Sequence, residues 1–340
     1  MTDRPSSTAL LVLGMHRSGT SAITGALCIA GADPGGSLLP AMQGVNPKGF
    51  WEHAEIVAIH ERLLATLHSS WADERVLPAD WWHLPVIANC RDALAETLRS
   101  EFSSSPLWIV KDPRMCRLLP LWLDILTDIG AKPHFILCLR HPYEVALSLE
   151  RRDGISLERS CLLWLVHMID SVRWTRGHPR IVVTYDHLLA DWRTSLRQIA
   201  DGLSVPLQAG PAVAGKIDSF LEPVLRHHQL AQATAQCENR ICQLAAEAYA
   251  LMEHNDIDPL LPDRLTAIAA ETEREASKVA PWAAELCALS NRNAELSSRV
   301  MELSAAHSTC LEEIARIKNS PSWRLTAPLR AFAMWGRKPD

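Results

Sequence analysis

The sequence has 340 residues, a formal net charge of −5 and 48% hydrophobic residues, enough for one full domain and an extension. This mildly acidic balance gives no general attraction to nucleic acid, which argues against a nucleic-acid partner. The apolar stretch at residues 9–13 is too short for a signal sequence or a membrane span. Nine scattered cysteines and fourteen histidines without metal-ligand spacing predict reduced thiols, no metal site and a cytoplasmic protein.

The first predicted element is a strand over residues 10–13, followed by a glycine-bounded loop and a helix from residue 22. Such a loop points its N–H groups inward at a helix N-terminus and binds anions. The spacing from Gly14 to Gly19 is close to that of an NTPase P-loop, but Thr20 stands where the P-loop lysine would be. Arg17 is the nearest cation, and an arginine can grip an oxyanion with two hydrogen bonds. An ordinary strand-to-helix turn is the alternative.

Three further apolar segments, near residues 106–111, 134–139 and 180–185, predict strands that alternate with helices. This order is typical of an α/β fold with a P-loop-like parallel sheet and helices on both faces. Open parallel sheets bind ligands at the carboxyl ends of their strands. Arg140 ends one strand and Ser148 lies eight residues further on, along a helix, so both can reach one phosphate. The alternative is a structural ion pair at Arg140 and a solvent-facing Ser148.

These segments together resemble the sulfotransferases that use 3′-phosphoadenosine-5′-phosphosulfate (PAPS). The resemblance covers about residues 8–228 and predicts a sulfotransferase domain over 1–228. Four motifs carry it, in the family's order: RSGTS at 17–21, WIVKDPR at 108–114, FILCLRHPYEVALS at 135–148 and IVVTYDHLL at 181–189. It implies transfer of a sulfuryl group from PAPS, without a metal.

The resemblance also implies roles for individual residues. Five residues correspond to the family's loop that binds the 5′-phosphosulfate of the donor: Arg17, Ser18, Gly19, Thr20 and Ser21. Arg140 and Ser148 correspond to the pair that holds the 3′-phosphate. Tyr185 corresponds to a residue beside the adenine, with a core tyrosine as the alternative. Lys111 corresponds to a lysine that contacts the transferred sulfuryl group.

The general base is the least defined part of this site. The cytosolic animal enzymes carry a catalytic histidine just after the lysine, where this sequence has Asp112. Glu52 matches an acidic residue that several bacterial and Golgi-type relatives carry after the first helix, and a carboxylate is suited to accept the acceptor's hydroxyl proton. His53 is a second candidate. A capping role for Glu52 at the next helix is the alternative.

Beyond residue 228 we predict a helical connector over 229–278, a coiled coil over 279–318 and a basic amphipathic tail over 319–340. The heptad has Val279, Leu286, Asn293, Val300, His307 and Ile314 at a, and Trp282, Leu289, Leu296, Leu303, Cys310 and Ile317 at d. Leucine at d and a lone asparagine at a are typical of a parallel two-stranded coiled coil, which predicts a homodimer. A long helix that packs back on its own domain is the alternative.

The tail resembles segments at the end of bacterial glycosyltransferases and other enzymes of surface-polysaccharide assembly. It predicts contact with the inner face of the membrane or with a partner enzyme. The sequence as a whole predicts a bacterial-type sulfotransferase acting on a hydroxyl of a glycan or glycoconjugate. Two alternatives stay open: a P-loop kinase, against which the missing loop lysine argues, and a non-catalytic coiled-coil scaffold with a vestigial sulfotransferase fold.

Overall fold

The structure is a computed structural model that describes residues 7–41, 48–221, 239–253 and 261–320, together with residues 323, 325 and 326. The described strands are β1 (Thr8–Leu13), β2 (Leu107–Lys111), β3 (Lys132–Leu139) and β4 (Arg180–Thr184). The described helices are α1 (Thr20–Ile29), α2 (Ala54–Thr66), α3 (Ala88–Phe102), α4 (Met115–Ile129), α5 (Pro142–Asp153), α6 (Leu157–Trp174), α7 (Tyr185–Ala190), α8 (Trp192–Leu203), α9 (Pro211–Phe220), α10 (Arg240–Glu253) and α11 (Leu261–Asn319). The chain divides into two compact units, Met1–Cys287 and Ala288–Asp340.

The strands form one parallel sheet in the order β2-β1-β3-β4. In the register of the central strand, Val12 pairs with Lys111 of β2 on one side and with Ile136 of β3 on the other. The chain therefore passes from β1 to β2 on one side of the sheet and from β3 to β4 on the other, and open α/β sheets bind ligands in a crevice outside the carboxyl ends at such a switch point. The predicted parallel α/β fold is confirmed, with each strand close to its expected position.

Both faces of the sheet are buried, and the central strand β1 shows why. Its residues 9–13 are all apolar and fully buried, so it offers apolar side chains to both faces. Leu11 and Leu13 pack with α2, α3 and α4. Leu10 and Val12 pack with α1, α8 and α9 on the other face. Full burial of a leucine contributes roughly 1.5–3 kcal/mol. This strand therefore holds the start of the loop that follows it in a fixed place.

A third cluster joins α5, α6 and α10. Helix α10, which falls in the predicted connector, contributes Cys242, Leu244 and Ala245, all fully buried. Cys242 is disulfide-bonded, which corrects the expectation that all the cysteines are reduced. The free cysteines among the described residues are Cys28, Cys90, Cys116, Cys138, Cys161 and Cys310.

Helix α11 has 59 residues and includes the whole of the predicted coiled-coil segment, 279–318. Pairing of this helix and the division of the chain into four parts stay predictions. Most of the predicted tail lies outside the described residues. Within the described part of the chain, the structure contains no helix with the length and apolar character that a membrane span requires.

Candidate active site

The loop between β1 and α1 runs close to its neighbours at both glycines. A Cβ atom on Gly14 would lie 2.7 Å from the carbonyl oxygen of Cys138, and one on Gly19 would lie 2.1 Å from Cδ2 of Tyr185. Gly19 has φ +86° and Arg17 has φ +71°, a left-handed conformation that costs a residue with a Cβ about 1–2 kcal/mol. Strain of this kind persists where surrounding contacts fix it, and it is common at binding sites. The loop is thus a tightly held turn in front of α1.

Two hydrogen bonds join this loop to the segment that follows β3. Nε of Arg17 donates to Oγ of Ser148 at 2.8 Å. Nη1 of Arg140 donates to the carbonyl oxygen of Arg17 at 2.9 Å, and the Arg140 guanidinium lies 4.8 Å from the centre of the Tyr185 ring. The structure brings together four residues that were predicted to bind the donor, and we call them the donor cluster: Arg17, Arg140, Ser148 and Tyr185.

The electrostatics of the donor cluster favour an anionic ligand. Nε of Arg140 donates to Oε2 of buried Glu144 at 2.9 Å, so the structural ion pair considered as an alternative is present too. Burial lowers the pKa of Arg17, and the charges of Arg152 and Arg140 lower it further. A bound anion would oppose these effects because it stabilises the charged guanidinium.

The remaining loop residues lie at the start of α1. Oγ of Ser18 is buried and has no hydrogen-bond partner within the described ranges. Thr20 and Ser21 line a cleft that opens beside the loop. A buried polar atom without a partner needs a physical explanation, and an oxyanion held at this helix N-terminus would provide one.

Lys111 and Glu52 form an ion pair, which we call the transfer pair. Lys111, the last residue of β2, is 2% exposed and Glu52 is 7% exposed. Nζ of Lys111 contacts Oε1 of Glu52 and donates to Oγ of Ser21 at 3.2 Å. Ser21 in turn donates to the carbonyl oxygen of Phe50 at 3.0 Å. A group bound at the loop therefore meets an ammonium and a carboxylate at the same point.

His53, the second candidate base, is not part of this arrangement. It is the N-cap residue of α2, and its Nε2 lies 3.4 Å from Oε2 of Glu101. Its ring packs beside Phe102, with 6.4 Å between ring centres. No side-chain capping hydrogen bond is present at the start of α2 as described. The structure thus brings Glu52 to Lys111 and places His53 elsewhere.

Asp112, which follows Lys111, belongs to a buried hydrogen-bonded chain. Nε1 of Trp122 donates to Nε2 of His60 at 2.9 Å. The other ring nitrogen of His60 must then carry the proton, and it donates to Oδ2 of Asp112 at 2.8 Å. Burial acts to raise the pKa of Asp112, but the Arg114 charge and the His60 hydrogen bond hold it well below its usual range. Asp112 is therefore held in its ionised form as an anchor for Arg114, which donates to its Oδ1 at 2.8 Å, and is poorly suited to act as a base.

The loop and the transfer pair open onto one cleft with a volume of about 320 Å³. Its lining residues are His16, Arg17, Thr20, Ser21, Leu39, Phe50, Glu52, Val57, Trp71, Lys111, Pro113, Arg114, Arg152 and Asp153. Most of these side chains are polar or charged. Among the described residues, no group of three or more His, Cys, Asp or Glu side chains is placed to hold a metal ion.

The lining residues that were not singled out from the sequence include three with ionisable side chains near the loop: His16, Arg114 and Arg152. Burial, together with the charges of Arg114 and Arg152, keeps the pKa of His16 well below 6.5, so its imidazole is neutral at neutral pH. Its Nε2 is buried without a hydrogen-bond partner in the described chain, and its ring lies 4.5 Å from that of Trp71. The sequence signal for a role of His16 is its position inside the glycine-bounded loop. The anion site of that loop is predicted from its backbone N–H groups and from Arg17, and that prediction assigns no role to the His16 side chain.

No protein-family model matches the sequence, and no curated protein matches it. Solved structures that are similar to the chain include the sulfotransferase domain of the Synechococcus PCC 7002 olefin synthase, with a TM-score of 0.43 and 19% identity over 73% of this chain and 96% of that one. They also include the sulfotransferase domain from the curacin biosynthetic pathway, with a TM-score of 0.40 and 16% identity over 81% of this chain and 98% of that one.

Proposed function

We propose that this protein is a sulfotransferase that moves a sulfuryl group from PAPS to a hydroxyl group of an acceptor. The observation that supports it best is the meeting of the donor cluster and the transfer pair at one edge of the sheet. The donor cluster offers two guanidinium groups, a hydroxyl and an aromatic ring, which suit a nucleotide with more than one anionic group. The transfer pair offers a cation and a carboxylate, which suit a group transfer to a hydroxyl.

The residues present fit this donor better than a nucleoside triphosphate. A triphosphate site on a P-loop relies on a lysine at the β- and γ-phosphates, and Thr20 occupies that position. Arg17 and the N–H groups of the loop would hold the donor's 5′-phosphosulfate. Arg140 and Ser148 would hold its 3′-phosphate, with Tyr185 beside the base.

In the proposed reaction the acceptor oxygen attacks the donor's sulfur, and the bond from sulfur to the bridging oxygen breaks. The acceptor's proton passes to the carboxylate of Glu52, and adenosine 3′,5′-bisphosphate leaves. Lys111 stabilises the negative charge that builds on the bridging oxygen. Before the donor binds, the transfer pair keeps two buried charges compensated. The bound sulfonate then shares the Lys111 charge, which leaves Glu52 freer to accept the proton.

We further propose that the acceptor is a glycan or glycoconjugate. The polar and charged lining of the cleft suits a polyhydroxylated acceptor better than an alkyl chain. Trp71 lies at the cleft, but His16 and Arg152 lie close to its ring, so specificity rests mainly on hydrogen bonds. A screen of the purified protein with PAPS against neutral glycans, acidic glycans and hydroxyacyl compounds tests this class. Sulfation confined to the hydroxyacyl compounds would refute the glycan assignment.

Calorimetry of nucleotide binding tests the donor. The protein is expected to bind adenosine 3′,5′-bisphosphate much more tightly than AMP. Arg140→Ala should lower the affinity for the bisphosphate by about 1.5–3 kcal/mol, a roughly tenfold to hundredfold loss, and should leave AMP binding nearly unchanged. Arg151→Ala is the control, because Arg151 is an exposed arginine of α5, the helix that follows Arg140, and does not line the cleft.

Three results would count against the proposal. Equal affinity for the bisphosphate and AMP would remove the 3′-phosphate assignment. Preferential binding of ATP would favour the kinase alternative. Absence of binding to every nucleotide, in a protein that circular dichroism shows to be folded, would favour a non-catalytic scaffold.

A further inference from the structure

We propose that helix α11 pairs with α11 of a second copy of this chain, in parallel and in register. The proposal begins from apolar side chains that the single chain leaves uncovered on its second compact unit. Leu289, Leu296 and Leu303 are 59%, 54% and 65% exposed, and Ile314 and Ile317 are also exposed. Monomeric proteins rarely leave contiguous apolar patches of more than a few hundred Å² in water, so these side chains require a partner.

The exposed leucines form a narrow apolar stripe along α11, and a stripe of this width fits another helix as the partner. The three leucines recur every seven residues, which is the narrow seam of a coiled coil. Its flanks are polar: serines stand at Ser290, Ser297 and Ser304, and arginines at Arg292 and Arg299. A helix that lies in a membrane interface presents a wider apolar face, with aromatic residues at its edge. A second helix therefore fits this stripe better than a lipid surface does.

The choice of partner follows from one asparagine in the seam and one pair of opposite charges beside it. Asn293 is the lone asparagine at an a position, and an asparagine there is best satisfied by its own twin across the seam, which requires a parallel pair in register. In that arrangement Glu313 at g faces Lys318 at e of the other chain, an attractive pairing. Both Glu313 and Lys318 are exposed in the single chain. The occupant is thus a second copy of this chain.

The parallel register also places each d residue opposite its own twin. Cys310 stands at d and is exposed and free, so two copies of Cys310 come within reach of a disulfide. Cys287 stands at b, on the outside of such a pair. The arrangement therefore predicts cross-linking at one cysteine and none at the other.

Light scattering of the full-length protein at tens of micromolar tests the pairing. The expected mass is twice the 37.8 kDa of one chain. The double variant Leu296→Glu and Leu303→Glu should halve the mass. The matched control places the same charges on the outer face, as Ser298→Glu with Ala305→Glu, and should leave the mass at two chains. A monomeric wild type, or equal behaviour of the two double variants, would overturn the proposal.

Mild oxidation followed by non-reducing electrophoresis tests the register. The wild type should run as a covalent dimer, and Cys310→Ser should abolish that dimer while the protein still scatters as two chains. A variant that keeps Cys310 but carries Cys287→Ser should cross-link like the wild type. A protein that dimerises without a Cys310 cross-link would refute the parallel register, since an antiparallel pair sets d residues against a residues.

Discussion

Substitution of Gly19 by alanine tests the central contact of the site, the packing of the Tyr185 ring on the loop. The new Cβ would lie 2.1 Å from Cδ2 and 2.7 Å from Cε2 of that ring, far inside contact distance. The φ of +86° adds a cost of about 1–2 kcal/mol for any residue with a Cβ. Overpacking of a buried site adds about 1–3 kcal/mol. We therefore expect Gly19→Ala to lower the free energy of unfolding by about 2–5 kcal/mol.

Gly177 provides the matched control, because its φ of +83° is nearly the same and no atom of the described residues lies within 4 Å of its Cβ position. Gly177→Ala should lose only the conformational part, about 1–2 kcal/mol. Urea unfolding of both variants isolates the cost of the clash. Equal destabilisation of the two variants would show that the Tyr185 ring does not clash with a Cβ at position 19, and it would refute the close packing of this ring on the loop.

A second comparison separates the clash from other effects of the loop. In a Tyr185→Leu background the ring is absent, so the added cost of Gly19→Ala should fall towards that of Gly177→Ala. The difference between the two backgrounds is the coupling energy of the pair, which a double-mutant cycle measures. Binding of adenosine 3′,5′-bisphosphate should weaken in Gly19→Ala and stay unchanged in Gly177→Ala, because of the two glycines only Gly19 lies in the loop that we propose binds the donor.

The remaining predictions concern the transfer pair and acid stability. Lys111→Ala should lower kcat by at least about a hundredfold and change the bisphosphate Kd by less than about tenfold, since the lysine acts mainly as the leaving oxygen gains charge. Glu52→Gln should lower kcat similarly in turnover assays, and an active variant with an unchanged pH profile would exclude Glu52 as the base. His167 is fully buried and lies 2.8 Å from the carbonyl oxygen of Leu163, and burial lowers its pKa to about 3, with the Arg117 charge adding to the effect. Because the unfolded chain binds a proton below about pH 6.5 and the folded chain does not, stability should fall by up to about 1.4 kcal/mol per unit as pH drops from 6.5 towards 3. Urea unfolding between pH 7 and pH 4 should show a shallower loss for His167→Gln, and equal slopes would refute this assignment.

Much of the sheet was predictable because its strands are continuous apolar runs that end at chemically distinctive residues. The rule that parallel strands bind ligands at their carboxyl ends was enough to place Arg140 and Ser148 near the loop. The structure confirms the fold, and it brings both residues to Arg17. This part of the site depends on the parallel direction of the strands, which the alternation of strands and helices along the sequence indicates.

The contacts between distant segments were not predictable in the same way. The transfer pair joins Glu52 and Lys111 across 59 positions of the chain, and no periodicity links a loop before α2 to the end of β2. Arg152 reaches the cleft from the last turn of α5, where a sequence pattern shows only a charged helix end. Such contacts depend on how helices pack over the sheet, which requires the three-dimensional arrangement.

The opposite roles of Lys111 and Asp112 follow from the alternation of side chains along β2. Successive residues of a strand point to opposite faces. Leu107 and Ile109 pack on the face that carries α1, so Lys111 continues on that face and reaches Ser21. Asp112 turns to the other face, where α2 and α4 supply His60 and Trp122. The period of two thus separates a lysine directed at the loop between β1 and α1 from a carboxylate held in the core, and it leaves Glu52, from a different segment, as the carboxylate beside the lysine.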